Sequence, residues 1–159
     1  MSEILFNTVR DNDPKQIREI LKNNPEFVDT KDQRGSTPLI LSTYYNQLET
    51  AQVLLEHGAQ IDLKDDSGNT ALMGVCFKGF TELAQFLIDK GADLNMQNAM
   101  GSTSLIYAVT FKHIAIAKLL LNQGADTTIK DARGHTALDH AKLQGDPDLI
   151  DLLEGFNET

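Results

Sequence analysis

The chain has 159 residues, 41% hydrophobic and 23% charged, with 14 basic against 23 acidic groups and a net charge of −9. That size suits one domain and the apolar content excludes general disorder, while the acidic balance excludes broad nucleic-acid binding, because phosphate contacts need clustered Lys and Arg. No apolar run reaches the roughly 18 residues of a membrane span, and a lone cysteine, Cys76, excludes an internal disulfide framework.

The opening segment, with Glu3 early and no long apolar core, does not read as a secretory signal. Together with the lone cysteine this points to a reducing, cytoplasmic setting. Residues 2–31 read as a helix pair. Ile4, Leu5 and Val9 can share a face of the first helix, and Asp13-Pro14 supplies an N-cap acceptor and a residue pre-set for the first helical turn of the second. Ile17, Ile20 and Leu21 form its apolar stripe, and Pro25 ends it. Lys15, Arg18, Glu19 and Lys22 give this pair a charged outer face suited to closing an array.

From residue 32 onward the chain repeats itself. Gly35-Ser36-Thr37-Pro38-Leu39 returns as Gly68-Asn69-Thr70-Ala71-Leu72, Gly101-Ser102-Thr103-Ser104-Leu105 and Gly134-His135-Thr136-Ala137-Leu138, each start 33 residues after the last. Gly58-Ala59, Gly91-Ala92 and Gly124-Ala125 keep the same step. Self-similarity at this period marks a stacked repeat array rather than a globular core. In the first unit, 32–64, Asp32 to Gly35 is a turn and Thr37 caps a helix over about 38–45. A second helix covers about 48–57 and stops before Gly58. Units 65–97 and 98–130 repeat the plan, with Asn98 standing for the opening Asp. Ala51, Ala84 and Ala117 allow close helix approach, while Leu54, Leu87 and Leu120 share one register. The last unit, 131–159, opens its second helix at Asp146-Pro147 and turns Ile150 and Leu153 inward, with Asp148, Asp151 and Glu154 outside. Residues 155–159 read as a loose tail.

These features resemble the ankyrin repeats: the period, the T-[PAS]-L start, and the Gly91-Ala92-Asp93-Leu94-Asn95 ending. The resemblance implies an all-α repeat solenoid of helix-turn-helix units joined by β-hairpin or turn connections. It spans one domain, with a helix-pair cap over 1–31 and four units in the 33-residue register. One departure stands out. The family's T-P-L-H start has its His replaced by Ile40, Met73, Ile106 and Asp139. That replacement leaves packing to do part of the work between units and puts the rigidity of the connections in question.

No phosphate-cradling loop and no zinc-protease motif is present. Cys76, between Val75 and Phe77 in a first helix, reads as a buried structural thiol. His135, Asp139 and His140 are the one metal-like cluster. Two His five residues apart on a helix point about 140° apart, and no Cys completes a site, so no metal and no cofactor are expected. Asp139 is expected to bond nearby backbone or His135. The chain therefore reads as a non-enzyme.

By the resemblance, hairpin tips and first helices line a concave binding face. Carried onto this sequence, that face holds Arg34, Tyr44, Tyr45, Phe77, Lys78, Met100, Phe111, Arg133 and His135, with Tyr107 nearby. Phe77 and Phe111 have two readings, exposed contact residues or rings tucked between units. Large exposed aromatics are enriched at interfaces. The implied function is a protein-protein interaction module acting as an inhibitor, an immunity-type protein or an adaptor. The alternative is a small-molecule or metal-responsive sensor using the groove. Residues 131–159 carry two basic and seven acidic groups, which serves solubility or a basic partner. Polar caps at both ends favour a monomer, with no nucleic-acid or membrane partner.

Overall fold

The computed structural model describes residues 2–157. Its helices are α1 (Ser2–Arg10), α2 (Pro14–Asn23), α3 (Pro38–Tyr44), α4 (Leu48–Glu56), α5 (Ala71–Lys78), α6 (Thr81–Asp89), α7 (Ser104–Thr110), α8 (Ile114–Asn122), α9 (Ala137–Gln144) and α10 (Pro147–Asn157), with a 3-10 turn at Pro25–Phe27. No strand occurs among the described residues, so the expected hairpin connections are turns rather than ladders.

Local chemistry sets the helix starts. Thr37, Thr70, Thr103 and Thr136 are extended N-cap residues whose hydroxyls accept from the N–H groups of Ile40, Met73, Ile106 and Asp139 at 3.2, 3.3, 3.2 and 3.2 Å. Each such cap contributes about 1 kcal/mol. Asp13 accepts from Gln16 N at 3.1 Å and Asp146 from Leu149 N at 3.2 Å, as their Asp-Pro contexts suggested.

The helices form two layers. The first helix of each pair lies in one row, α1 on α3, then α5, α7 and α9, and each packs on its own second helix. Between the layers, Leu54, Leu87 and Leu120 are fully buried, and so are Ala51, Ala84 and Ala117. One periodic set of side chains thus fills the space between pairs. Of the four positions where the family carries His, Met73 and Ile106 are buried, Ile40 is partly buried against the core, and Asp139 accepts from Thr136 N.

The connections are nonetheless tied to one another. Lys31 Nζ donates to the Lys64 carbonyl at 2.8 Å, Lys64 Nζ to that of Gln97 at 2.7 Å, and Gln97 Nε2 to that of Lys130 at 3.0 Å. On the turn tips, Asp66 N donates to Arg34 O at 3.1 Å, Ala99 N to Ser67 O at 3.0 Å and Ala132 N to Met100 O at 3.0 Å. Asp29, Asp62 and Asn95 accept from the backbones of Gln60, Asp93 and Asp126 at 3.1, 2.9 and 2.9 Å. Three sets of hydrogen bonds therefore tie each connection to the next. Tip stacking is tight: a Cβ at Gly101 would lie 2.7 Å from Ala132 N.

Three details differ from the sequence reading. Ile4 is 53% exposed, and Phe6 takes its place in the interior beside Leu5 and Val9. In α10 Leu153 is fully buried as expected, but its fully buried companion is Leu149, while Ile150 is only partly buried against the core. Residues 155–157 are helical, not loose, because Phe156 joins Leu149 and Leu153 against the core. Glu158 and Thr159, the rest of that expected tail, lie outside the described residues.

Candidate partner-binding site

The first helices end toward a groove of about 1430 Å³. Its floor is the exposed side of α3 and α5, its N-terminal wall is Ser2, Glu3, Phe6 and Arg10 of α1, and its rim is the turn tips that carry Arg34 and Asp66. The charges along it are mixed, with Glu3, Asp32, Asp65 and Asp66 against Arg10, Lys31, Arg34 and Lys78. No single-sign field selects a polyanion here.

Rings cross this face from unit to unit. Tyr44 and its C-cap neighbour Tyr45 meet edge to face at 5.4 Å between centroids. Lys78 Nζ stands 4.4 Å above the Tyr44 ring, a cation–π contact that joins α3 to α5. Phe77 then meets Phe111 at 4.6 Å, edge to face, and Tyr107 at 6.1 Å. Tyr107 stacks on Phe111 at 6.2 Å. Both readings of the two Phe rings hold in part: they pack on each other across the unit boundary, yet each remains 44% exposed.

Two side chains fix this cluster from behind. Asn98 Nδ2 donates to Tyr107 Oη and to Asn69 Oδ1, both at 2.9 Å, and sets the Tyr107 ring. His113 Nε2 donates to the Phe77 carbonyl at 3.0 Å and holds the end of α5. From sequence Asn98 reads only as the turn residue that stands for Asp, a role its bonds from Met100 N and Ser102 N bear out, and His113 is not singled out, although both occupy fixed places in the repeat register. The wall from α1 was also missed, since the first pair was read only as a cap.

The structure gathers Arg34, Tyr44, Tyr45, Phe77, Lys78 and Tyr107 into the groove, with Phe111 adjoining through its ring contacts. Met100 sits apart on a turn tip, exposed, its N–H bonded to Asn98 Oδ1 at 3.0 Å. Arg133 is exposed on the last tip, and His135 lines a separate shallow site with Asp139, Lys142 and Leu143.

At that far end the helical-wheel separation of His135 and His140 does not apply, because His135 precedes the cap residue Thr136. The two rings meet edge to face at 5.4 Å. His140 Nε2 donates to Asp131 Oδ2 at 2.7 Å. Burial works to raise the Asp131 pKa, but hydrogen bonds from His135 N, the His140 ring and Arg133 N outweigh it and hold the carboxyl below its ordinary value. Asp139 Oδ2 accepts from Thr136 N at 2.9 Å and completes a capping box, as the expected backbone bond; that hydrogen bond lowers its pKa.

Cys76 offers no reactive thiolate. It is fully buried, and burial pushes its thiol pKa up to about 12. No helix among the described residues is long and apolar enough to cross a membrane.

Comparison with known families agrees with this architecture. The family profile described as ankyrin repeats (3 copies) matches residues 5–98 and 72–157. No curated protein matches the chain. Ankyrin repeats are generally protein-protein interaction modules on a typically non-catalytic scaffold. With its 33-residue register, Thr-capped helix pairs and a profile match over nearly the whole length, the chain belongs to the ankyrin repeat family.

Proposed function

We propose that this chain binds a partner protein through its groove face, and that it acts by occupying that partner, as an inhibitor, an immunity-type protein or an adaptor. The observation that carries this reading is the run of rings from Tyr44 and Tyr45 through Phe77 to Tyr107 and Phe111, across three successive pairs. A folded chain leaves such rings half exposed at a cost in unburied apolar surface. Tyr and Phe with few rotatable bonds return that cost on contact with a partner. The ring-to-ring contacts and the Asn98 and His113 ties pre-order the surface, so little side-chain freedom remains to be lost on binding. Lys78 and Arg34 border the apolar centre and supply a polar rim, with Met100 and Arg133 on turn tips beyond it.

The test is affinity capture from the source cell with wild type beside Tyr45→Ala and Phe111→Ala. The variants are first shown to match wild type in circular dichroism. A protein retained by wild type and weakened about 30-fold or more by either variant is the hot-spot behaviour expected. Equal retention by all three moves the binding surface off this face.

A further inference from the structure

The groove reading leaves one side-chain cluster unused. Asp131, His135 and His140 each present a ligand atom, and these atoms all lie within 4.8 Å of one another. Register explains why only this unit does so. The same three places hold Asp32, Ser36 and Leu41, then Asp65, Asn69 and Gly74, then Asn98, Ser102 and Tyr107. In the third unit the pair makes a neutral tie, Asn98 Nδ2 to Tyr107 Oη at 2.9 Å. In the fourth, both ring positions are imidazoles and the turn residue is a carboxylate.

The turn also aims that carboxylate. Asp131 Oδ1 accepts from the N–H groups of Arg133 and His135, each at 3.0 Å, which fixes the carboxyl plane. Oδ2 is left facing His140 at 2.7 Å. All three residues are partly exposed, so an ion can reach them. Asp139, bonded to Thr136 N, adds negative charge beside His135; Arg133 and Lys142 are the cations at this end.

We propose that Asp131, His135 and His140 bind one divalent transition-metal ion of the zinc class. Two imidazole nitrogens and a carboxylate oxygen are a donor set that such an ion takes, with bonds of about 2.0–2.2 Å and ligand atoms therefore roughly 3.3 Å apart. The His140–Asp131 contact opens slightly to reach this, and His135 swings in. Because His135 lies on the turn before Thr136, that motion does not disturb α9. His140 gives its Nε2 proton to solvent and carries a proton on Nδ1 instead, so it ligates as neutral imidazole, and its hydrogen bond to Asp131 is replaced by one bond from each residue to the ion. Three protein ligands leave a coordination position for water or for a donor from another protein.

The experiment is a calorimetric titration of the chelator-stripped full chain with zinc chloride, beside His135→Ser, which installs the residue that the first and third units carry there. The result expected is one ion per wild-type chain and binding weakened about tenfold or more by His135→Ser, with no change in the apo melting temperature. In wild type, cobalt(II) is expected to shift the ring protons of His135 and His140 but not those of His57 and His113. No binding at millimolar zinc, equal affinity in the variant, or cobalt shifts centred on His57 or His113 would overturn the site. If His135→Ser alters apo stability, the cobalt shifts in wild type decide alone.

Discussion

The bend between first and second helices offers a sharp test of how the repeat register constrains single residues. Asn46, Gly79, Lys112 and Gly145 occupy it in successive pairs, and all are left-handed, with φ of 58°, 81°, 61° and 65°. Three of these are residue types that tolerate that region; Lys112 is not. An L side chain with a Cβ costs about 1–2 kcal/mol there. Replacing Lys112 with Gly removes that cost but adds unfolded-chain freedom worth about 0.5–1 kcal/mol. The net expectation is stabilisation by about 0.5–1 kcal/mol, which for a chain this long raises the melting temperature by about 1–4 °C. The reverse change, Gly79→Ala, meets both penalties. Its φ is 81°, and the new Cβ would lie 2.5 Å from His113 Cε1, forcing apart the His113 bond to the Phe77 carbonyl. It is expected to destabilise by about 1–2 kcal/mol or more. Thermal and guanidinium unfolding followed by circular dichroism measures both. A lower melting temperature for Lys112→Gly, or no effect of Gly79→Ala, refutes the argument.

Other outcomes follow from burial and hydrogen bonding. Leu87→Ala empties a fully buried position between pairs and is expected to cost about 2–5 kcal/mol in chemical denaturation, whereas Leu143→Ala, at a 69% exposed site, leaves stability unchanged. Tyr107→Phe removes an acceptor from the largely buried Asn98 amide and is expected to cost about 0.5–1.5 kcal/mol by the same assay. Cys76 sets an alkaline limit. Its folded pKa is raised to about 12 from 9.0, so above pH 9 the unfolded thiol loses its proton while the folded one keeps it. The folded state then binds more protons, and stability falls with rising pH by up to about 1.4 kcal/mol per unit. Wild type is expected to lose stability between pH 9 and pH 10.5 relative to Cys76→Ala; parallel curves contradict this.

Much of the fold could be read from the sequence because its determinants are local and repeated. The four capping Thr residues, the Asp-Pro starts, and the Ala51 and Leu54 series each act within a few residues and recur at one interval. What was misread lies where the interval gives no help. α1 has no preceding turn to fix its phase, so Ile4 was placed inward and Phe6 was overlooked. α10 runs to Asn157 on a Leu149, Leu153 and Phe156 stripe that was present in the sequence but masked by Gly155. The groove aromatics were legible as a set, because first-helix positions repeat. Their exposure was not, since it depends on the 4.6 Å contact of Phe77 with Phe111 across a unit boundary. The approach of His135 to His140 was hidden for another reason: one is on a turn, and helical angles do not describe it.

The proposed function requires that partners meet the groove face and not the outer one. Site-specific photo-crosslinking in the source cell tests it most directly, with a photoreactive phenylalanine placed singly at Tyr45, Phe111, Glu82 or Lys118. The first two stand on the ring-bearing face, and the last two are exposed on α6 and α8. One discrete crosslinked protein is expected from Tyr45 and Phe111 and none from Glu82 or Lys118. The same adduct from Glu82 or Lys118, with none from the aromatic positions, would contradict it.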